Sequence, residues 1–431
     1  MDLDQGQTGY ILLNSALVLL MTPGLAFFYG GMVKAKSVIA MMMMSFGSIG
    51  LVAVLWVIYG YAISFSGEGG PGYVGWDGFF GINLGQLFLG VANEEALAFG
   101  DTEGLANPEM AFIAFQAMFA ILTVALVSGA IADRAKFGAW MLFAGLWATF
   151  VYFPVASWVF NFTLGDDGTL VDGGWASWGM LNWFGTGVID FAGGTAVHIN
   201  AGAAALALSI VVGKRINFAK GAHKPHNPPF VLLGAGLLWF GWFGFNAGSE
   251  LAADGIASLM FVNTMVAPAA ALLGWIFVEK IRDGKPTAVG AGSGAVAGLV
   301  AITPAGGSLT PMWAIVLGVL AGLICALAVD LKFALGFDDS LDVVAIHLVG
   351  GLIGTLFLGF FANGTGLVYG GGFAQLLVQA IVAVVVGLYS FILALILAFI
   401  VEKTMGFRIR HEDEIAGIDA VMHGEEGYVQ T

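Results

Sequence analysis

Charge is scarce in this chain. Only 10% of its 431 residues are Asp, Glu, Lys or Arg, where a soluble domain carries roughly a quarter. That deficit excludes an ordinary water-soluble globule. Cysteine is nearly absent: the single Cys325 rules out an intrachain disulfide framework and a thiolate metal cluster. Its apolar surroundings make it a small packing residue. The N-terminus, MDLDQGQTGY, lacks the basic leader of a cleaved signal peptide, so the chain is expected to be mature from near Met1. No nucleotide-phosphate loop that would power a pump is present. The run GAGSGAVAG at 290–298 has neither the strand nor the acidic residue a dinucleotide loop needs. Gly294 and Gly298 read instead as a close helix contact. No enzymatic activity, metal, cofactor or nucleic-acid partner is expected.

What the chain has is apolar length. Hydrophobic residues make up 59% and glycines number 65. Eleven segments are long enough to cross a hydrocarbon core of about 30 Å: 10–31, 38–65, 109–131, 137–161, 190–213, 228–249, 255–279, 287–304, 311–331, 341–362 and 373–403. The eighth is short and glycine-rich. All 15 Lys and Arg fall in alternate gaps, after segments 1, 3, 5, 7, 9 and 11. The positive-inside rule then puts the N-terminus outside and the C-terminus in the cytoplasm. The other gaps hold Glu68, Asp77, Glu94, Glu95, Asp101, Glu103, Asp166, Asp167, Asp172, Glu250 and Asp254. They form either a solvated surface or an outer field that enriches cations. Met41 to Met44 read as lipid-facing or core packing.

Two histidines lie deep in these segments, in repeated surroundings. Asp190, His198 and Gly202 occur in DFAGGTAVHINAG, and Asp339, His347 and Gly351 in DSLDVVAIHLVGG; both read D-x7-H-x3-G. An ionisable side chain at such depth marks a functional site. Segments 5 and 10 are five crossings apart and run in opposite directions, as in the inverted repeats of transporters. Each imidazole lies eight residues from its aspartate, about 12 Å along a helix, one descending from outside and one rising from inside. The two are expected to meet near the midplane. The architecture expected is therefore an all-α polytopic membrane protein of eleven transmembrane helices. Segments 1–5 and 6–10 form inverted halves at about 10–213 and 228–362, followed by a long helix 11 at about 373–403. A transmembrane domain spans 1–403 and a charged tail 404–431.

The site also constrains what crosses. Asp190, Asp339 and Asp342 lie near segment ends, so an alkali cation would reach the histidines with little to replace its water. Burying an unpaired ion is severely penalised. A cation that sheds a proton moves inward as a neutral molecule, and neutral imidazoles accept and donate hydrogen bonds and titrate near neutrality. Ammonium is one substrate that fits.

The run DFAGGTAVHINAGAAALALSIVVGKR at 190–215 resembles the signature of the ammonium transporter (Amt/Mep/Rh) family, of the prokaryotic Amt type. TPGLAFFYGGMVKAKS at 22–37, FQAMFA at 115–120, GWFGFNAGSE at 241–250, DDSLDVVAIH at 338–347 and the tail GIDAVMHGEEGY extend the similarity over essentially the whole chain. The resemblance implies a homotrimer in the plasma (inner) membrane, with one conduction path per subunit. It assigns His198 and His347 to a pore-lining pair, and Phe119 and Phe245 to stacked phenyl rings that gate the pore. Phe115 and Gln116 lie close by. Ser249 matches a hydroxyl that receives ammonium in the outer vestibule, Trp242 a pore-lining tryptophan, and Asp190 an acid that supports the site. Where the family often has a vestibule tryptophan, Phe160 stands here, with Trp158 two residues earlier as the alternative. The resemblance also implies a packed regulatory tail and a PII-type signal protein at the cytoplasmic face. Two rival readings remain at this stage. A membrane haem protein would use the histidines as axial ligands. A sensor would read ammonium through the tail, although about 28 residues are too few for a folded signalling domain.

Overall fold

The computed structural model describes residues 2–65, 72–76, 78–90, 97–100, 105–164, 170–218 and 224–428. Of the loop residues named above, Glu68, Asp77, Glu94, Glu95, Asp101, Glu103, Asp166 and Asp167 lie outside the described residues, as does Lys220.

Apolar runs of this length become helices because hydrocarbon offers no partner for a backbone N–H or C=O. Among the described residues, ten helices are long and apolar enough to cross a membrane: α1 Gln5–Met32, α2 Ala35–Ser64, α3 Glu109–Ile131, α4 Phe137–Phe160, α5 Gly194–Val212, α6 Pro228–Glu250, α7 Gly255–Arg282, α9 Pro311–Leu335, α10 Val344–Phe361 and α11 Ala374–Thr404. The eighth segment forms a shorter apolar helix, α8, at Ala288–Ile302. Its 15 residues rise about 22 Å, less than the hydrocarbon thickness. It is buried along nearly its whole length, which makes it an internal strut. Gly294 and Gly298 explain how it fits: a Cβ on Gly294 would stand 2.6 Å from the Trp275 Cβ, and one on Gly298 2.6 Å from the Pro268 Cα. Small paired strands, such as Tyr73–Trp76 with Phe80–Asn83, lie in connections between helices, and Asp2–Leu3, ahead of α1, pairs with Leu105–Pro108.

Helix ends are marked by local chemistry. Asp4 accepts from the Gln7 amide (2.9 Å) at the start of α1, and Asp254 from the Ile256 and Ala257 amides (2.9 Å each) at the start of α7. These side chains satisfy amides that a helix leaves orphaned. α1 lies along α6 and against α3, α6 lies against α8, and α5 crosses α10. This is the pairing two related halves produce. Met41 and Met44 turn into the core, whereas Met43 is exposed. Cys325 is buried and free.

The end of the bundle that carries the basic residues is closed by a buried ionic cluster. Arg215 grips Asp338 through Nε (3.0 and 3.2 Å) and Nη2 (2.8 Å), and its Nη1 lies 3.5 Å from Asp133. Arg134 donates to the carbonyls of Gly213 (2.7 Å), Ala130 (3.0 Å), Ala132 (3.2 Å) and Asp338 (2.5 Å), and to the Ser340 hydroxyl. The tail docks on this face. Its short helix α12, His411–Ala416, brings Glu414 to the Ile216 amide (2.8 Å) and to Arg408 (2.6 Å). Asp419 receives the Ile39 and Ala40 amides (3.0 and 2.8 Å) at the start of α2. The Tyr428 hydroxyl lies 2.8 Å from His226 Nε2 and accepts from Asn227 (3.2 Å).

Candidate functional site

The repeated aspartates cap the helices that carry the histidines. Asp190 Oδ1 receives the amides of Gly193 (3.1 Å) and Gly194; Oδ2 receives the amides of Thr195 (2.9 Å) and Ala196 (3.1 Å) and the Thr195 hydroxyl. Five donors occupy this carboxylate, so it organises the start of α5 and is not free to ligate an ion. Asp339 Oδ2 likewise receives the Val344 amide (2.7 Å) at the start of α10. Lys332 reaches the Asp339 carbonyl (3.2 Å) and pairs with Asp342 (2.5 Å).

This corrects one geometric expectation. The eight-residue spacing is not a continuous helical descent of about 12 Å. Residues 190–193 form a turn, with Gly193 at φ +114°, and α5 starts only at Gly194. His198 then lies little more than one turn into α5, and His347 one turn into α10. Both histidines sit in wide, i+5-bonded turns, Gly194–Ile199 and Val344–Val349, a local form common at functional sites.

The two imidazoles meet all the same. Their Nδ1 atoms are 3.2 Å apart, with ring centroids at 5.2 Å and planes 27° apart. The third residue of the repeat explains the approach. A Cβ on Gly351 would lie 2.9 Å from the Gly194 carbonyl oxygen and 3.3 Å from the His198 Cβ, and one on Gly202 would run into Leu348 beside His347. Only glycine lets α5 and α10 close to this distance. One Nδ1 must donate and the other accept. Two neutral imidazoles so joined present one acceptor and one donor through their outer Nε2 atoms. His198 Nε2 has no hydrogen-bond partner among the described residues, although the residue is wholly buried.

Aromatic rings continue the column. Phe245 stacks near His198 (6.1 Å, 29°), and Phe119 stacks on Phe245 (4.2 Å, 26°). Trp242 lies face to face with His198 (5.4 Å, 25°). α6 begins beside the tail contact at Asn227 and ends at Glu250, just past Ser249, so the phenyl rings lie toward the face opposite the tail. Phe115 packs on Phe119 (4.9 Å), and Gln116 is half-buried beside them. The Ser249 hydroxyl donates to the Phe245 carbonyl (2.8 Å), leaving its oxygen as an acceptor. Phe160 meets Phe119 edge-on (6.5 Å, 76°). Trp158 packs elsewhere, on Tyr389 (4.6 Å) and Trp175 (5.7 Å), and its indole N–H donates to the Phe79 carbonyl. Among these residues, Phe160 and not Trp158 lies against the phenyl stack.

The pair is unsuited to holding a haem. Axial imidazoles stand end-on at opposite faces of a macrocycle, whereas these rings lie against each other with no space between. Sequence reasoning passed over Thr303 and Asn246, both buried behind Trp242. Single polar residues in apolar helices carry no pattern that would have revealed them.

Comparison with known proteins gives a consistent result. A model described as the Ammonium Transporter Family matches residues 9–428. An ammonium transporter of Mycobacterium tuberculosis is 55% identical, over 99% of this chain and 90% of the relative. The crystal structure of Saccharomyces cerevisiae Mep2 is similar at a TM-score of 0.81 and 31% identity, over 95% of this chain and 91% of that one. A structure described as a Sensor Amt Protein is similar at a TM-score of 0.83 and 27% identity, over 97% and 98%.

Proposed function

The chain belongs to the ammonium transporter family, a multi-pass membrane protein and not an enzyme, and on that premise we propose how it moves ammonium. Ammonium is recruited at the face opposite the tail, among Ser249, Phe115, Phe119 and Phe160. A hydroxyl acceptor and ring faces hold a cation by about 0.5–2 kcal/mol per ring, enough to gather it without trapping it. The cation loses its proton above the Phe119–Phe245 stack, and that proton is either left outside or carried separately along a histidine-containing route. Ammonia then passes the rings and the His198–His347 pair, with Trp242 lining the path and Asp190 fixing the start of α5. The observation that carries this reading is the buried imidazole pair, 3.2 Å apart, with no acidic side chain hydrogen-bonded to either ring among the described residues. A neutral pair with one acceptor and one donor suits a molecule that both accepts and donates hydrogen bonds. A bare ion finds no counter-charge there.

The basic face with its docked tail is assigned to the cytoplasm of the plasma (inner) membrane by the positive-inside rule, with eleven crossings if α8 is counted. Residues 1–403 form the transport domain and 404–431 a regulatory tail. Exposed apolar side chains on α7 and α9, such as Phe277 and Met312, suit lipid or the neighbouring subunits of a homotrimer. The docked tail suits a platform for a PII-type signal protein.

The test is an ammonium-triggered current across proteoliposomes, with potassium as control. Current for ammonium alone supports transport with charge transfer along a histidine-containing route. Internal alkalinisation without current supports ammonia conduction with the proton left outside. Silence in both assays with folded protein contradicts the reading.

A further inference from the structure

Trp242 is wholly buried and lies face to face with His198. Its indole N–H can only donate, and a buried donor needs an acceptor. That acceptor is the hydroxyl of Thr303, 2.8 Å away and itself 0% exposed. Thr303 follows the last residue of α8. Its hydroxyl hydrogen is shared between the Leu299 carbonyl (2.7 Å) and Asn246 Oδ1 (3.2 Å). The Asn246 amide donates to the Thr264 hydroxyl (3.0 Å), which donates to the Met260 carbonyl (2.8 Å). A chain of hydrogen bonds thus joins α6, α7 and the end of α8, all behind the indole.

We propose that Thr303 is a positioning residue that sets ion discrimination: it turns the Trp242 N–H away from the conduction path, so that His198 meets only the indole face. This rests on the transport reading above. Without the hydroxyl, the N–H becomes a buried unsatisfied donor, which is unfavourable. The strain is relieved by rotating the indole or by drawing water to it. Either outcome puts a polar group or a water beside the histidines, and a wetter path admits hydrated ions.

The experiment compares ammonium and potassium flux in proteoliposomes for Thr303→Val, Thr303→Ser, Trp242→Phe and the Thr303→Val/Trp242→Phe pair. Thr303→Val is expected to lower ammonium-over-potassium discrimination about tenfold, while Thr303→Ser, which keeps the hydroxyl, retains it. In the Trp242→Phe background there is no N–H to satisfy, so Thr303→Val should lower discrimination no further, although Asn246 Oδ1 loses its donor in both backgrounds. That non-additivity is what a general packing role would not produce. Unchanged discrimination in Thr303→Val, or an equal loss in both backgrounds, overturns the proposal. If Thr303→Val yields no folded protein, Thr303→Ser against Trp242→Phe carries the test: retained discrimination in the first and lowered discrimination in the second are expected, and a loss in Thr303→Ser overturns the proposal. Wild-type protein in the same liposomes separates the two claims: no ammonium flux there contradicts the transport reading itself.

Discussion

The ionic cluster at the tail face and the histidine pair at the centre are built in opposite ways. At the tail face, Arg134, Arg215, Asp133 and Asp338 bring full charges out of water, and each is matched. Asp338 alone accepts from the Arg215 amide (2.7 Å) and from its Nε and Nη2. At the centre, His198 and His347 are hydrogen-bonded to each other, and His198 Nε2 has no hydrogen-bond partner among the described residues. Charge that cannot be neutral is kept where it is paired. Where no counter-charge is supplied, the residues are ones that can be neutral. The first arrangement holds helices together, and the second leaves hydrogen-bonding capacity unused within the fold.

Breaking each cluster should therefore give different failures. Asp338→Ala leaves Arg215 buried and without its main partner, a loss of about 3–5 kcal/mol. It should appear as a large drop in melting temperature and yield. The same cluster gives an acid limit. Burial alone would raise the Asp338 carboxyl, but the Arg215 hydrogen bonds and the charges of Arg134 and Arg215 outweigh it and hold it below its ordinary 3.8. A depressed carboxyl contributes stability that is complete above the ordinary value and lost as pH falls through the depressed one. Thermal melts should lose stability below about pH 4 through this group, and Asp338→Asn should remove that limb while lowering stability at neutral pH.

His347→Ala should do the reverse. It leaves no unpaired charge, so its melt should fall less than that of Asp338→Ala, while ammonium flux or its discrimination changes about tenfold from the loss of the hydrogen-bonding pair. Ser249→Ala removes one acceptor at the end opposite the tail. It should raise the half-saturating ammonium concentration a few-fold, by about 0.5–1.5 kcal/mol, with discrimination at the histidines unchanged. The smallest effect expected is from Phe160→Trp, which places a better cation–π partner beside Phe119. It should lower half-saturation about two-fold and leave the melt alone.

Much of this was legible in the sequence because it is periodic. The apolar runs match the helices to within a few residues, and alternate basic gaps mark one face. The D-x7-H-x3-G repeat identified two histidines that meet. Its spacing was misread as helix length, because nothing in the letters says that Asp190 bends the chain to gather the amides of residues 193–196. The short, glycine-rich eighth segment signalled its own difference, which the burial of α8 explains. Phe160 and Trp158 could not be ranked from sequence, since two residues' shift moves a side chain to another helix face. Thr303 was illegible because its partner Trp242 is 61 residues away in the chain and lies on another helix.

The most direct test of the central contrast is ammonium and potassium flux through His198→Ala in proteoliposomes, with a thermal melt on the same preparation. The account predicts a folded protein whose ammonium flux or ion discrimination is changed. A folded variant that moves ammonium normally, with unchanged discrimination against potassium, would contradict it.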